Sequence, residues 1–370
     1  MPKSNHLPAL LGSFFLTAFR SYTKIYAAFV SFRRRNSPCH SAIIYAYGYG
    51  HYTLTNQSTI TQYIPRNACY CCTKKEKREV IAMKYIDLHV HSNVSDGTFT
   101  PEQLVEEAIS SHLSAFALTD HDTVKGIPQA LAAAKKATEQ GTPIEVIPGV
   151  EISAAYKKKD IHILGLLINP QDSALNQALE KAIENRENRN KKMAENLAKK
   201  ASLSISYEDL CKAFAPGTVL TRAHFAKYLV ETKQIKSMDE AFQQYLHADG
   251  PYYVPREYIS PKDAIGLIRQ AGGIPILAHP LLYHLPEDEL LNLISQLKSY
   301  GLLGLEVIYS ANIGFDEGIL RRYANQFDLC MSGGSDFHGS NKPHIALGRG
   351  KGNLKIPYSL LEQLKALLPV

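Results

Sequence analysis

From residue 84 onward the chain alternates short apolar runs with amphipathic helical stretches, and that rhythm admits few folds. Tyr85–Val90, Ala115–Thr119, Ile144–Ile147, Ile161–Ile168, Gly272–Ala278, Leu305–Ile308 and Leu329–Ser332 read as strands. Thr100-Pro101-Glu102 opens a helix, with threonine as N-cap and proline at the first helical position. Further helices are expected around Ala130–Thr138, Glu287–Tyr300 and Asp316–Phe327. Strands that alternate with helices argue for an α/β fold around a parallel sheet, and their count suits a (βα) barrel. Residues 173–270 break the rhythm with almost unbroken helical patterning, so a helical insertion is expected there within a domain spanning 83–370.

The first 82 residues behave differently. They carry 11 Lys and Arg against only Glu76 and Glu79, net +9, which leaves 30 basic and 33 acidic residues, net −3, for 83–370. The overall charge of +6 therefore belongs to the tail, and nothing in the balance of the folded part points to duplex DNA. Leu7–Phe19 is apolar but too short to span a bilayer, and Arg20 and then Arg33, Arg34 and Arg35 follow it in place of a clean cleavage signal. A transit peptide, a membrane anchor, and a disordered or over-extended N-terminal segment are the alternatives. Met83 opens Met-Lys-Tyr-Ile-Asp-Leu-His where the first strand begins, which favours the last of these; removing 1–82 is then expected to leave activity intact. Cys39, Cys69, Cys71 and Cys72 lie in the tail without the second pair that a closed zinc site needs. Cys211 and Cys330 stand alone in the folded part, which suits a reducing, cytoplasmic setting away from membranes.

Histidine carries the chemistry. Of 14 in the chain, 11 follow residue 83, and six of those sit at or just beyond a strand end, usually beside a carboxylate. They occur in Asp87-Leu-His89-Val-His91, Asp120-His121, Asp160-Ile-His162, Ala278-His279-Pro280 and Asp336-Phe-His338. Residues two apart on a strand share a face, so His89 and His91 converge, with Asp87 placed to orient an imidazole. Parallel barrel strands end on one face, where these segments would gather six imidazoles with Asp96, Glu151 and Asp336. Nitrogen and oxygen donors without thiolate suit Mn, Fe, Zn or Mg, and nine ligands are about right for three divalent ions. Each piece alone has a bland alternative: most His-x-His pairs are surface or core residues, and a histidine before a strand-ending proline can cap a carbonyl. A whole set of such segments within one α/β pattern is hard to produce by packing needs.

The ordered set His89-x-His91, Asp96, Asp120-His121, Glu151, His162, Ala278-His279-Pro280 and Asp336-x-His338 resembles the polymerase and histidinol phosphatase (PHP) superfamily over roughly residues 84–350. The resemblance implies a distorted seven-stranded barrel with a trinuclear site. By motif, His89, His91, Glu151 and Asp336 would hold one ion, Glu151 with His162 and His279 a second, and Asp96, His121 and His338 a third. It further implies a phosphoric ester hydrolase that prefers Mn, with metal-bound water as nucleophile and no covalent intermediate.

The insertion is expected to shape the substrate pocket. Thr221-Arg222-Ala-His224-Phe225 could meet a phosphate, although a helix start with Phe225 and Leu229 inward and Arg222 solvated explains the same residues. Arg186 and Arg189, interleaved with Glu184, Glu187 and Glu195, read as a solvated helix face, and Arg256 and Arg349 are weaker phosphate candidates. With Thr221, Arg222 and His224 on a helical insertion between His162 and His279, the layout resembles the 3′,5′-nucleoside bisphosphate phosphatase and 5′→3′ exoribonuclease branch. That resemblance implies a small nucleotide or the 5′ end of short RNA as substrate, with Arg222 and His224 gripping a second phosphate. A histidinol-phosphate phosphatase and a non-catalytic PHP module are the alternatives. An arginine-rich pocket disfavours the first and a complete ligand set the second.

Overall fold

The computed structural model describes residues 83–157, 159–247, 250–255 and 257–368. It also describes three earlier strands of an antiparallel meander, β1 (Ala42–Tyr45), β2 (His51–Leu54) and β3 (Ile60–Gln62). The apolar run Leu7–Phe19, the four tail cysteines and Arg256 lie outside the described residues.

Seven strands pair in chain order to form a nearly closed barrel: β4 (Ile86–Val90), β5 (Ala115–Leu118), β6 (Glu145–Tyr156), β7 (Lys159–Leu166), β8 (Ile274–Leu277), β9 (Gly304–Tyr309) and β10 (Cys330–Gly334). β4, β5, β8 and β9 are buried along their whole length, which is why β5 and β8 read as unbroken apolar runs, while β4 and β9 carry buried Asp87, His89 and Glu306 among theirs. The expected all-parallel sheet is broken in one place, because β7 runs antiparallel to both β6 and β8. Only two residues separate β6 from β7, too few for the crossover that a parallel pair requires, so the chain turns back as a hairpin. The reversal brings the beginning of β7, with Asp160 and His162, level with the C-terminal ends of its neighbours.

The barrel closes where β4 meets the segment after β10. His91 N–H donates to Phe337 O at 3.0 Å, and Asp336 N–H donates to His89 O at 2.9 Å. Gly334 makes this seam possible: a Cβ there would lie 2.2 Å from the Cβ of His89 and 2.6 Å from its nitrogen. Gly334→Ala is therefore expected to cost about 1–3 kcal/mol through overpacking and to lower the melting temperature by several degrees. Differential scanning calorimetry checks this, and an unchanged melting temperature would contradict so close an approach.

Helix α1 (Pro101–Ser110) begins as expected, with Thr100 as N-cap and Gln103 completing a capping box; α2 (Ile127–Glu139) follows β5. The long helical stretch contains α3 (Ser173–Ala201), α4 (Tyr207–Ala213), α5 (Arg222–Glu231), the single turn α6 (Met238–Glu240) running into a π-helical turn at Ala241–Tyr245, and α7 (Pro261–Gln270). These helices divide between two cores. Leu175 and Leu179 of α3, with Ala264, Ile265 and Ile268 of α7, pack on the barrel, whereas Met193, Leu197, Leu210, Phe225 and Leu229 form a second core. The middle of α3 thus lies between the two, and its inward residues there are Arg186, Arg189 and Asn190. Helices α8 (Glu287–Tyr300), α9 (Asp316–Gln326) and α10 (Ser359–Lys365) complete the set. Among the described residues no helix is long and apolar enough to cross a membrane.

Candidate metal centre

The nine residues singled out in the sequence meet at one end of the barrel. His89 and His91 come from β4, Asp96 from the loop after it, His121 from the end of β5, and Glu151 and His162 from the β6–β7 hairpin. His279 follows β8, and Asp336 and His338 follow β10. His279 and Asp336 hold left-handed backbone, φ 27° and 57°, a strain typical of functional strand ends.

The donors fall into three overlapping groups, with His121 shared, since its Nδ1 lies 3.1 Å from Glu151 Oε2. His89 Nε2 lies 3.1 Å from His91 Nε2, 3.3 Å from Glu151 Oε2 and 3.6 Å from Asp336 Oδ1. His91 Nε2 is 3.2 Å from that Glu151 oxygen and 3.4 Å from that Asp336 oxygen. Donors about 2.1 Å from a common tetrahedral centre stand about 3.4 Å apart, so these spacings are those of a coordination shell. Glu151 turns its other oxygen, Oε1, to His162 Nδ1 at 2.8 Å and His279 Nε2 at 2.9 Å. Asp96 meets His338 Nε2 at 3.2 Å and His121 Nε2 at 3.7 Å. His91 Nδ1 also lies 3.7 Å from Asp96, so its ring sits between the first and third groups.

This donor set fits divalent cations. It offers nitrogen and oxygen without sulfur, and His91 Nδ1, Asp96 Oδ1, His121 Nδ1, Glu151 Oε2 and His279 Nδ1 are buried without a hydrogen-bond partner. Charge follows the same geometry. Burial works against ionisation of Asp96, Glu151 and Asp336, yet the surrounding imidazoles, and Lys342 beside Asp336, hold all three well below the usual carboxylate range. Burial opposes protonation of His89 and His91 as well. Glu306 and Glu151 nevertheless raise His89 well above its ordinary value, and Asp336 and Glu151 raise His91 to about 9. His121 goes the other way, to about 3, because burial dominates.

Supporting contacts include residues that the motifs did not reveal. Glu306, buried on β9 within an apolar run, faces His89 Nδ1 at 3.0 Å and accepts the N–H of His279 at 2.7 Å. It does the orienting expected of Asp87. That carboxylate instead accepts three backbone N–H groups, from His89 at 3.3 Å, Ser335 at 2.8 Å and Gly348 at 2.7 Å, because it sits against the barrel seam where unpaired amides converge. Asp120 accepts both Ser92 and Ser95 hydroxyls at 2.6 Å and so fixes the loop that carries Asp96. Tyr309 and Lys342 both donate to Asp336 Oδ2, at 2.7 and 2.6 Å, which leaves Oδ1 facing the imidazoles.

The cluster opens into a cleft of about 410 Å³, walled in part by Arg186, Arg189, Thr221, Arg222 and Lys342. Arg186 and Arg189 are not a solvated face: they are 6% and 5% exposed, and Arg186 pairs with Asp122 and donates to Ser153 Oγ at 3.0 Å. They share the inward stripe of α3 with Asn190, Met193 and Leu197, while Glu184, Glu187 and Glu195 point to solvent. Thr221 caps α5 and donates its hydroxyl to Asp96 Oδ2 at 3.1 Å. Arg222 lies on the cleft wall and donates to Asp160 Oδ2 at 3.1 Å. His224 is buried behind that wall: its Nδ1 accepts the N–H of Thr221 at 2.9 Å, and burial lowers its pKa to about 4. Arg349 is exposed and lies away from the cleft lining.

The PHP domain family profile matches residues 87–254. A 5′-3′ exoribonuclease of Haemophilus influenzae is 40% identical over 258 residues, which cover 69% of this chain and 90% of that protein. A 3′,5′-nucleoside bisphosphate phosphatase of Chromobacterium violaceum is 34% identical over 256 residues, 69% of this chain and 88% of that one. The crystal structure of a Bifidobacterium adolescentis protein described as a metal-dependent phosphoesterase superposes with a TM-score of 0.67 at 30% identity, covering 76% of this chain and 96% of the other. With a relative 40% identical across nine-tenths of its length, and with the family profile matching the segment that carries most of the cluster, the chain belongs to the PHP domain family of metal-dependent phosphoesterases.

Proposed function

We propose that this enzyme removes the 3′-phosphate from nucleoside 3′,5′-bisphosphates, trims short RNA from a 5′-phosphate end, or does both. The observation that carries the proposal is a nitrogen- and oxygen-donor cluster at the floor of a cleft whose walls supply Arg186, Arg189, Arg222 and Lys342. The activities for which the Haemophilus and Chromobacterium relatives are named support the same substrate class. His89, His91, Asp96, His121, Glu151, His162, His279, Asp336 and His338 would hold three divalent ions, with Mn preferred over Fe, Zn and Mg. When bound, such ions supply Lewis-acid polarisation of phosphoryl oxygens and a water of lowered pKa.

The protein's own groups do the rest. Arg222, fixed by Asp160, presents its guanidinium to a phosphate remote from the scissile one, with Thr221 and His224 holding the helix start beneath it. Arg222→Ala is expected to raise KM for a bisphosphate roughly tenfold to a hundredfold, the range for a lost charge-assisted hydrogen bond, and steady-state kinetics check it. We assign the chemistry to 83–370, with the 173–270 region shaping the pocket and 1–82 outside it, in a cytoplasmic setting that the unpaired thiols of Cys211 and Cys330 suit.

The deciding test measures hydrolysis by the full-length, Mn-loaded protein, read as phosphate release from the two small monoesters and as nucleoside monophosphate release from the RNA. Adenosine 3′,5′-bisphosphate, 5′-phosphorylated short RNA and histidinol phosphate are offered side by side. Preference for either of the first two supports the proposal, and preference for histidinol phosphate overturns it while leaving the metal cluster standing.

A further inference from the structure

The cleft is lined mainly by charged and polar side chains, yet part of its rim is bare hydrocarbon. Seven large hydrophobic residues are well exposed among the described residues, and two of them, Phe242 at 37% and Leu282 at 42%, line this cleft together with Met238. They come from separate elements. Met238 and Phe242 belong to α6 and its π-helical continuation, and Leu282 belongs to the 3-10 turn Pro280–Tyr283, three residues beyond His279. Both elements are anchored from behind: Ala241 and Leu246 are fully buried, and the Tyr283 hydroxyl donates to Ala278 O at 2.7 Å. A π-helical turn is rare and recurs at functional sites. Firm backbone carrying exposed apolar side chains beside a metal cluster is the arrangement of a stacking platform, not of a core.

We infer that Phe242, Leu282 and Met238 form a nucleobase subsite on the rim of the cleft. The inference rests on the nucleotide reading of the same cleft: the phosphates belong with the arginines and the metal cluster, and the flat, weakly hydrated face of the base belongs with the hydrocarbon. Stacking reads the area of a base and not its edge, so the subsite tolerates all four bases and favours purines.

The test uses full-length, Mn-loaded protein with adenosine 3′,5′-bisphosphate and its abasic sugar counterpart. Wild type is expected to show a KM about tenfold lower for the base-bearing substrate, a ratio in the range of base–aromatic stacking. Phe242→Ala and Leu282→Ala should each reduce that ratio to about twofold, through KM rather than kcat, and Phe242→Tyr should retain it. Fluorescence polarisation of an ethenoadenosine nucleotide gives a second readout that needs no turnover, and its affinity should fall in parallel. An abasic substrate handled as well as the nucleotide by wild type, or a ratio unchanged in the alanine variants, overturns the subsite and leaves the nucleotide activity intact. A wild type that ignores both nucleotide and RNA but hydrolyses histidinol phosphate overturns the underlying function and the subsite with it.

Discussion

Replacing Glu151 with glutamine is expected to lower kcat by more than about a hundredfold while the protein stays folded. Removal of a group that merely orients a metal ligand commonly costs 10–100-fold. Glu151 does more than orient. One oxygen lies 3.2–3.3 Å from His89 and His91 Nε2, and the other lies 2.8–2.9 Å from His162 and His279. Glutamine keeps the shape but is neutral and offers one acceptor and one amide donor, so both groups lose their shared anion and one of them meets an N–H instead. The fold is spared because the adjoining histidines can release protons, which leaves no stranded charge of the kind that makes broken buried pairs so destabilising. Phosphate release, metal content by mass spectrometry and circular dichroism together check this. Near-normal turnover at full metal loading would sink the assignment of Glu151 to the cluster.

Much of this centre is legible in the sequence. Its donors are chemically scarce residue types placed at the ends of apolar runs, and a barrel topology maps strand ends onto one place. His89, His121, His279 and His338 are therefore visible as a group although up to 249 positions separate them. What stayed hidden had no such punctuation. Glu306 is a single carboxylate inside Leu305–Ile308, and only its burial against His89 identifies it. Arg186 and Arg189 looked solvated because glutamates flank them. Their spacing with Met193 and Leu197 is the signal of burial, since 186, 189, 193 and 197 trace one helical stripe. The β6–β7 reversal is hidden in the sequence for a related reason. Lys157 and its neighbours look like a loop of any kind, and strand direction depends on how few residues that loop contains. Lys342 reaches Asp336 through a short 3-10 turn that carries no motif at all.

Metal binding to the stripped protein is expected to strengthen steeply with pH, by as much as a hundredfold per unit near neutrality. The sign follows from which groups hold protons when no cation is bound. Asp96, Glu151 and Asp336 are already ionised, and His121 is already neutral, so they release nothing. His89 and His91 differ: the carboxylates around them raise the first well above its ordinary value and the second to about 9. With Glu306 facing His89 Nδ1, the proton that a cation displaces from this ring is the one on Nε2, which points into the cluster. Below pH 9 an ion entering the His89 and His91 group must therefore compete with as many as two protons, and each displaced proton makes its apparent affinity tenfold weaker per unit fall in pH. Above about 9 His91 is already neutral, so its share of the dependence fades. Isothermal titration of Mn into stripped protein at pH 6.5, 7.5 and 8.5, in buffers of contrasting ionisation enthalpy, reads both the affinity and the protons released. Between one and two protons released at pH 7.5, with affinity climbing at each step, is the expected result. An affinity indifferent to pH would mean that His89 and His91 are neutral in the empty cluster, and that the buried carboxylates are compensated by some other charge.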